Sequence, residues 1–353
     1  MLNLLPEPQI TALIGAFGGL LLGLAARLGR FCTMGAIEDA IYGGSTLRLR
    51  MWGIAIGVAI LGSFTLGSLG LLDPAQTIYH RGTWNPLASI FGGLLFGYGM
   101  ALAGNCGFGA LARLGGGDLR SFVIVLVMGI AAYVTLSGPL AQTRLFLFEG
   151  YGIAVNRYGI AGYVSNAIGS TVWVSGLLIG AGILAFSAIS TEIKRSPEVL
   201  FWGVVVGLAV VTGWAGTQWI ATEGFNALPV VSHTFSSPLG ETMLYLMTSS
   251  GGGLSFGVGS VTGVLVGAFV GSLIKGHFRW EACEDPRELR RQILGAAAMG
   301  VGAVVAFGCT IGQGISAFSV LAVSAPVTFL SILLGASIGL KQLITGFEAY
   351  RPN

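Results

Sequence analysis

Three of the four cysteines in this 353-residue chain share one short pattern, a cysteine followed three residues later by glycine. They are Cys32 in RFCTMGA, Cys106 in GNCGFGA and Cys309 in FGCTIGQ. None of them belongs to a C-x-x-C redox pair, and no spacing suits a sequence-local zinc site, so we expect no metal, no cofactor and no catalytic residue. A neutral thiol is a weak hydrogen-bond donor on a soft, polarisable atom. Three such thiols in repeated positions favour contact with a soft, sulfur-containing anion.

Polar side chains accompany the cysteines in the same turns and complete the candidate substrate pathway. Arg30 precedes Cys32 by two residues, where its charge either attracts a divalent anion or extends to the membrane surface. The same short segment contains Glu38 and Asp39, and we expect these acids to pair with Arg27 or Arg30. The uncharged members of the candidate pathway are Thr33, Asn105, Thr310 and Gln313.

The composition shows what kind of scaffold must position these side chains. Charged residues make up 9% of the chain, against roughly 25% in soluble domains, and hydrophobic residues make up 54%. So few charges cannot cover a water-soluble surface, which excludes a soluble enzyme and a nucleic-acid-binding protein. The 58 glycines suit membrane helices that approach one another closely. The chain is therefore predicted to be an all-α polytopic membrane protein whose surroundings are the lipid bilayer.

Apolar runs separated by polar breaks predict a single integral membrane domain over residues 1–353 with about nine transmembrane helices. Four further segments are too apolar for open loops and too short to cross, so we expect re-entrant half-helices that line a common path. These segments are Phe31–Tyr42, Cys106–Gly116, Gly216–Leu228 and Cys309–Val320. The predicted spans lie near 9–29, 51–71, 87–104, 119–138, 172–189, 199–219, 253–274, 293–308 and 326–346.

An internal match indicates two repeats. Gly92–Gly109 aligns with Gly295–Gly312 at an offset of 203 residues, and the alignment pairs Cys106 with Cys309. Repeat one is predicted at about 9–138, a linker helix at about 172–189 and repeat two at about 199–346. Because one span separates two four-span halves, the repeats have opposite topology, as in many transporters.

The basic residues predict the orientation in the membrane. Alternating loops place fifteen of the eighteen Lys and Arg residues on one side, and only Arg81, Arg144 and Arg157 on the other. The positive-inside rule then places the N-terminus outside and the C-terminus in the cytoplasm, in the cell inner (plasma) membrane.

At its cysteine motifs the chain resembles the YeeE/YedE family of membrane proteins. RFCTMGA, NCGFGA and GCTIGQG carry the resemblance, and the nine-span plan with inverted halves extends it over nearly the full length. The resemblance implies a transporter, not an enzyme, that takes up thiosulfate past three pathway cysteines corresponding to Cys32, Cys106 and Cys309. Some members of the family are associated with selenium or other sulfur compounds, so a different substrate of that kind is an alternative.

The resemblance also implies a possible cytosolic TusA-like sulfur carrier, expected as a separate chain. The mixed-charge stretch Lys275–Gln292 is a candidate docking surface, and Cys283 within it has no C-x-x-G pattern and is expected to be incidental. Two other functions stay open: a membrane thiol–disulfide oxidoreductase, which needs two sulfurs able to meet, and a scaffold subunit with structural cysteines.

Overall fold

The computed structural model describes residues 5–250, 253–282 and 285–346, and over these ranges the predicted all-α class is confirmed. Cys283 lies outside the described residues, as does the C-terminal end from residue 347. The described helices are α1 (Glu7–Leu28), α2 (Thr33–Ile41), α3 (Leu47–Ser68), α4 (Pro86–Ala103), α5 (Gly107–Gly115), α6 (Leu119–Leu136), α7 (Leu140–Phe148), α8 (Gly159–Ile168), α9 (Val172–Ala188), α10 (Thr191–Arg195), α11 (Pro197–Glu223), α12 (Ser237–Thr248), α13 (Phe256–Ile274), α14 (Pro286–Val305) and α15 (Ser324–Thr345).

The membrane-protein prediction is confirmed, whereas the number of spans stays a prediction. Within the described ranges, seven helical segments are long and apolar enough to cross a bilayer, and α8 with α9, bent by 107°, would make an eighth. The predicted span 293–308 corresponds to α14, which is not among them. Its first turns carry Arg287, Arg290 and Arg291, so it begins in a charged segment.

Short helices follow the cysteines at three of the four predicted places. Helix α2 begins after Cys32 and α5 after Cys106, and a π-helical stretch, Gly312–Ala317, follows Cys309. The fourth prediction, a half-helix over Gly216–Leu228, is wrong, because α11 continues unbroken to Glu223. The glycine there is a packing position: a Cβ at Gly216 would lie 2.6 Å from Cγ2 of Ile14 in α1. In place of the expected half-helix, the fourth short helix is α12, which follows the irregular segment 224–236.

Glycine faces bring the long helices into close contact. Helix α1 packs along α13, where a Cβ on Gly19 would lie 2.3 Å from the carbonyl oxygen of Ser260. A Cβ on Gly263 would likewise lie 2.2 Å from the carbonyl oxygen of Ala16. Both obstructions are backbone atoms, which a change of rotamer cannot move. The two helix backbones therefore touch, as they do at small-residue interfaces between membrane helices.

The helix pairs correspond across the two predicted repeats. The repeat hypothesis matches α1 to α11, α3 to α13, α4 to α14 and α6 to α15. Helix α1 packs on α13 as α11 packs on α3, and α4 packs on α15 as α14 packs on α6. These contacts between the halves thus occur in corresponding pairs, which supports an inverted repeat; the repeat itself stays a prediction.

Candidate functional site

The first two thiols stand at the N-terminal ends of short helices. Cys32 is the N-cap of α2 and is half-buried, and Cys106 is the N-cap of α5 and is fully buried. The Sγ atom of Cys106 accepts a hydrogen bond from the backbone N–H of Gly109 at 3.4 Å. The first N–H groups of a helix have no partner within the helix, so this end favours an anion. Each thiol therefore lies where partial positive charge is available.

Cys309 is held by more donors than either of the other thiols. Its Sγ accepts from the N–H of Phe235 at 3.2 Å and from the N–H of Gly312 at 3.5 Å. The hydroxyl of Thr234 lies 3.6 Å from the same sulfur. Two backbone donors on one sulfur withdraw electron density from it and strengthen the S–H as a donor. The three thiols are thus chemically distinct, although they share one sequence pattern.

A residue with a left-handed backbone conformation precedes each thiol by two positions. Arg30, Gly104 and Phe307 have φ values of 55°, 76° and 57°. This conformation turns the chain sharply, so that a long helix ends and a short one begins at a different angle. Glycine adopts it freely, whereas Arg30 and Phe307 do so at a cost of about 1 kcal/mol each. The shared turn places all three cysteines at the start of a short helical segment.

The described cysteines are free thiols that lie near one another. Cys32, Cys106 and Cys309 form no disulfide within the part of the chain that the structure describes. Cys106 lies within electrostatic reach of both other thiols and beside Thr310. The fold therefore brings together three cysteines that are up to 277 positions apart in the sequence, with Cys106 as the one that both others approach.

Three of the polar side chains predicted from sequence are buried with oxygens that have a weak partner or none. The oxygens are Thr33 Oγ1 and Asn105 Oδ1, which have no hydrogen-bond partner among the described residues, and Thr310 Oγ1, whose nearby partner is the weakly hydrogen-bonding thiol of Cys106. The three residues are at most 2% exposed. A buried polar atom without a partner costs roughly 1–3 kcal/mol. Such atoms beside three thiols therefore suit a pathway in which a passing ligand supplies the missing hydrogen bonds.

Gln313 differs from the other predicted residues because its amide is already engaged. Its Nε2 donates to the carbonyl oxygens of Phe307 at 2.9 Å and Ala306 at 3.3 Å. Its Oε1 accepts from the hydroxyl of Ser324 at 3.2 Å. The side chain braces the turn before Cys309. A direct contact between Gln313 and substrate stays a prediction.

Two cavities lie at opposite ends of α4. The cavity that includes Cys32 also borders Gly104, just beyond the C-terminal end of the helix, and its volume is about 650 Å³. The cavity that includes Tyr79 borders Asn85 and Ala88 at the N-terminal end, and its volume is about 310 Å³. Helix α4 has 18 residues, so the two ends lie about 27 Å apart at 1.5 Å per residue. The Cys32 cavity and the Tyr79 cavity therefore face opposite sides of the membrane.

Both cavities carry positive charge. Arg81 and Arg144 line the Tyr79 cavity against one acid, Glu149, and these arginines are two of the three basic residues that the sequence places on the less basic side. Arg30 lines the Cys32 cavity and is exposed. The expected pairing of Asp39 with Arg27 or Arg30 is wrong: Asp39 pairs with Arg48 at 3.1 Å, because α2 packs on α3 and brings Arg48 within reach. The other basic residues of the Cys32 cavity are Arg27, Arg48, Arg113, Lys275 and Arg279, and they outnumber its acids, Glu38 and Glu281.

Sequence reasoning missed the residues opposite Cys309. Thr234 and Phe235 lie in the segment before α12, and Tyr79 lies between α3 and α4. The sequence contains one usable signal, the run Ser236–Pro238, because serine followed by proline is typical of a helix start. That signal would have moved the fourth half-helix from Gly216 to its observed place. No comparable signal singles out Tyr79.

Comparison with known proteins identifies relatives along most of the chain. Thiosulfate transporter TsuA of Escherichia coli (strain K12) is 27% identical to the chain over 316 residues, covering 86% of each protein. Thiosulfate transporter TsuA of Spirochaeta thermophila is 24% identical over 330 residues, covering 91% of this chain and 96% of the relative. The model of the sulphur transport family matches residues 28–338, a range that contains all three site cysteines. The chain thus belongs to the sulphur transport family, as its resemblance to YeeE/YedE proteins predicted.

Proposed function

We propose that this chain carries thiosulfate into the cell by passing it along Cys309, Cys106 and Cys32. One observation carries the proposal: the three thiols are neighbours, and they stand between two positively charged cavities at opposite ends of α4. The two relatives supply the substrate, since each is named as a thiosulfate transporter. Thiosulfate is a divalent anion with one soft terminal sulfur, so it suits both arginines and thiols.

In this proposal the anion enters through the Tyr79 cavity, where Arg81 and Arg144 attract it. It then meets Cys309, whose S–H is polarised by two backbone donors, and moves to Cys106 and Cys32 through weak S–H hydrogen bonds. Weak contacts at several successive sites allow an ion to enter and also to leave. Arg30 and its basic neighbours receive the anion in the Cys32 cavity.

Substrate uptake tests the proposal directly. Cells that lack other sulfur-anion transporters should accumulate radiolabelled thiosulfate when this chain is expressed, and an excess of unlabelled thiosulfate should compete. Unlabelled sulfate should compete weakly, because it has no soft terminal sulfur. Uptake of selenite but not of thiosulfate would replace the substrate with the alternative selenium class.

The proposed orientation places the Tyr79 cavity outside and the Cys32 cavity in the cytoplasm. It rests on the uneven distribution of basic residues, fifteen of eighteen on one side. A reporter that is active only in the cytoplasm should therefore work when fused after Asn353, and a periplasmic reporter at the same place should be silent. The same pair fused in the loop after Arg81 should give the reverse result. An active periplasmic reporter after Asn353 would contradict the proposed direction.

We further propose that a cytosolic TusA-like sulfur carrier docks beside the Cys32 cavity. The Lys275–Gln292 stretch borders this cavity through Lys275, Arg279 and Glu281. Glu281 also lies 3.5 Å from the guanidinium of Arg120 in α6, which ties the stretch to the membrane domain. Residues 283–284 of the stretch lie outside the described part of the chain. Its C-terminal part, the first turns of α14, exposes three arginines that suit an acidic partner surface: Arg287, Arg290 and Arg291.

Reversal of these three arginines to Glu should weaken carrier binding by about tenfold or more, since each exposed charge contributes roughly 0.5–1 kcal/mol. A pull-down with a purified TusA-like protein at low and high salt measures the change. The matched control reverses Lys194 and Arg195, which are exposed in the short helix α10. Equal binding by wild type and the triple variant would move the docking surface elsewhere.

A further inference from the structure

The hydroxyl of Tyr79 is a donor that the proposed pathway has not yet used. It lies near the turn of Cys309: a Cβ on Gly312 would be 3.3 Å from this oxygen. Tyr79 is also within electrostatic reach of the Cys309 thiol. The side chain therefore joins the Tyr79 cavity to the first thiol of the pathway.

The ring of Tyr79 is held firmly, so its hydroxyl is fixed in place. It makes edge-to-face contacts with Trp214, at 6.2 Å between centroids, and with Phe307, at 6.0 Å. Burial, together with the nearby Cys309 thiol, raises the pKa of Tyr79 above its ordinary value. The phenol consequently stays protonated at neutral pH and is available as a hydrogen-bond donor.

The hydroxyl of Thr234 faces the same place with spare capacity. A Cβ on Gly312 would lie 2.5 Å from Thr234 Oγ1, so only a glycine at this position lets the hydroxyl come so close to the turn of Cys309. The contacts of Thr234 Oγ1 are long, 3.4 Å to Ser236 Oγ and 3.6 Å to Cys309 Sγ. An ordinary hydrogen bond between hydroxyls is closer to 2.7–2.8 Å. A ligand oxygen could therefore replace them with little loss.

The backbone that carries Thr234 is rigid. The imidazole Nδ1 of His233 lies 2.7 Å from Ser260 Oγ on α13. The backbone carbonyl oxygen of His233 accepts a hydrogen bond from Ser316 Oγ at 2.6 Å. Ser316 belongs to the π-helical stretch that follows Cys309. The π-helical stretch thus fixes the Cys309 thiol and the Thr234 hydroxyl relative to each other. Selective recognition of a small ion requires such fixed positions.

We propose that Tyr79 and Thr234 are specificity-determining residues that hold the oxygen end of the anion while Cys309 holds its terminal sulfur. This inference rests on the proposed uptake of thiosulfate and deepens it. Thiosulfate has a hard end of three oxygens and a soft end of one sulfur, and the site offers two hydroxyls beside one polarised thiol. Sulfate satisfies only the hydroxyls, and thiocyanate, which has a sulfur but no oxygen, satisfies only the thiol. Each of them makes half of the contacts.

The test is the Tyr79→Phe variant, which keeps the ring contacts with Trp214 and Phe307 and removes only the donor. Its KM for thiosulfate uptake should rise about tenfold or more, the effect of losing one hydrogen bond to a charged ligand, with a smaller change in the maximal rate. Thr234→Val should raise KM in the same direction. The matched control is Tyr158→Phe, whose ring packs edge-to-face on Trp173 away from the cysteines, and its KM should equal that of wild type.

Competition separates recognition from mere packing. In Tyr79→Phe, inhibition by sulfate should weaken while inhibition by thiocyanate stays unchanged. In Cys309→Ser the opposite pattern is expected, because the soft contact is lost and the hydroxyls remain. An unchanged KM in Tyr79→Phe, or an equal loss of inhibition by both competitors, would overturn the inference while leaving thiosulfate uptake intact. Failure of the wild-type chain to take up thiosulfate would overturn the proposed function and this inference with it.

Discussion

Alanine at Cys32, Cys106 and Cys309 together should abolish thiosulfate uptake at nearly unchanged membrane abundance. Each thiol is proposed to make one hydrogen bond to a charged ligand, and the loss of such a bond costs about tenfold or more in uptake. Losses at neighbouring thiols couple rather than multiply, so the triple variant should lose at least the effect of the most damaging single change, and it leaves the anion no soft contact anywhere along the pathway. The fold should persist, because removal of each small buried sulfur costs on the order of 1 kcal/mol, and about 2 kcal/mol at Cys309, which together stay below the roughly 5–15 kcal/mol of a typical native protein.

The single variants should reveal that the three thiols are unequal. Alanine at Cys309 leaves the N–H groups of Phe235 and Gly312 without an acceptor, and alanine at Cys106 does so for Gly109. We therefore expect Cys309→Ala to lower thermal stability the most, by about 2 kcal/mol. Serine restores an acceptor and a donor but is harder and more strongly hydrated, so it should recover stability and only part of the uptake.

The control for this series is Cys283→Ala, which removes a cysteine outside the C-x-x-G pattern and should transport normally. Uptake and membrane abundance are measured together for all variants. Equal uptake by wild type and the triple alanine variant, at equal abundance, would show that the three cysteines serve only packing and would contradict the proposed pathway.

Local rules explain why the sequence predicts the cysteine turns well. Apolar stretches that are too short to span, each containing C-x-x-G, indicate a break in a membrane helix whatever packs around it. Helices α2 and α5 accordingly begin within two residues of the predicted positions. The membrane class follows from composition alone in the same way, because solvation of the surface depends on how many charges there are.

The errors of the sequence-based prediction arise where tertiary packing determines the local structure. Glycines are frequent both in helix breaks and in close helix contacts, so the sequence near Gly216 is ambiguous, and only the contact with Ile14 shows that this glycine is a packing position. The group around Cys309 depends on long-range contacts as well: Tyr79, Thr234 and Gly312 lie far apart in the chain and meet only through tertiary structure. A pairing of this kind has no periodicity or spacing that could reveal it in a single sequence.

The second large effect is expected for the interface between α1 and α13, and it can be tested by one substitution at two glycines. In α13, a Cβ on Gly263 would overlap the backbone of Ala16, whereas a Cβ on Gly182 in α9 would meet no atom within 4 Å. Alanine favours helix over glycine by about 1 kcal/mol, so Gly182→Ala should leave stability unchanged or raise it slightly. Gly263→Ala should lower stability despite the same helical gain, because the two backbones must separate.

Leucine makes the contrast larger. Overpacking of a well-packed site costs about 1–3 kcal/mol when side chains yield, and more when the obstruction is backbone, so Gly263→Leu should leave little folded protein. Gly182→Leu should remain folded, since its side chain extends into open space. Thermal unfolding of the purified protein in detergent, followed by the loss of the monodisperse peak in size-exclusion chromatography, measures both pairs. Similar stability of the Gly263 and Gly182 variants would mean that α1 and α13 do not touch through their backbones, and the pairing of helices on which the site depends would have to be redrawn.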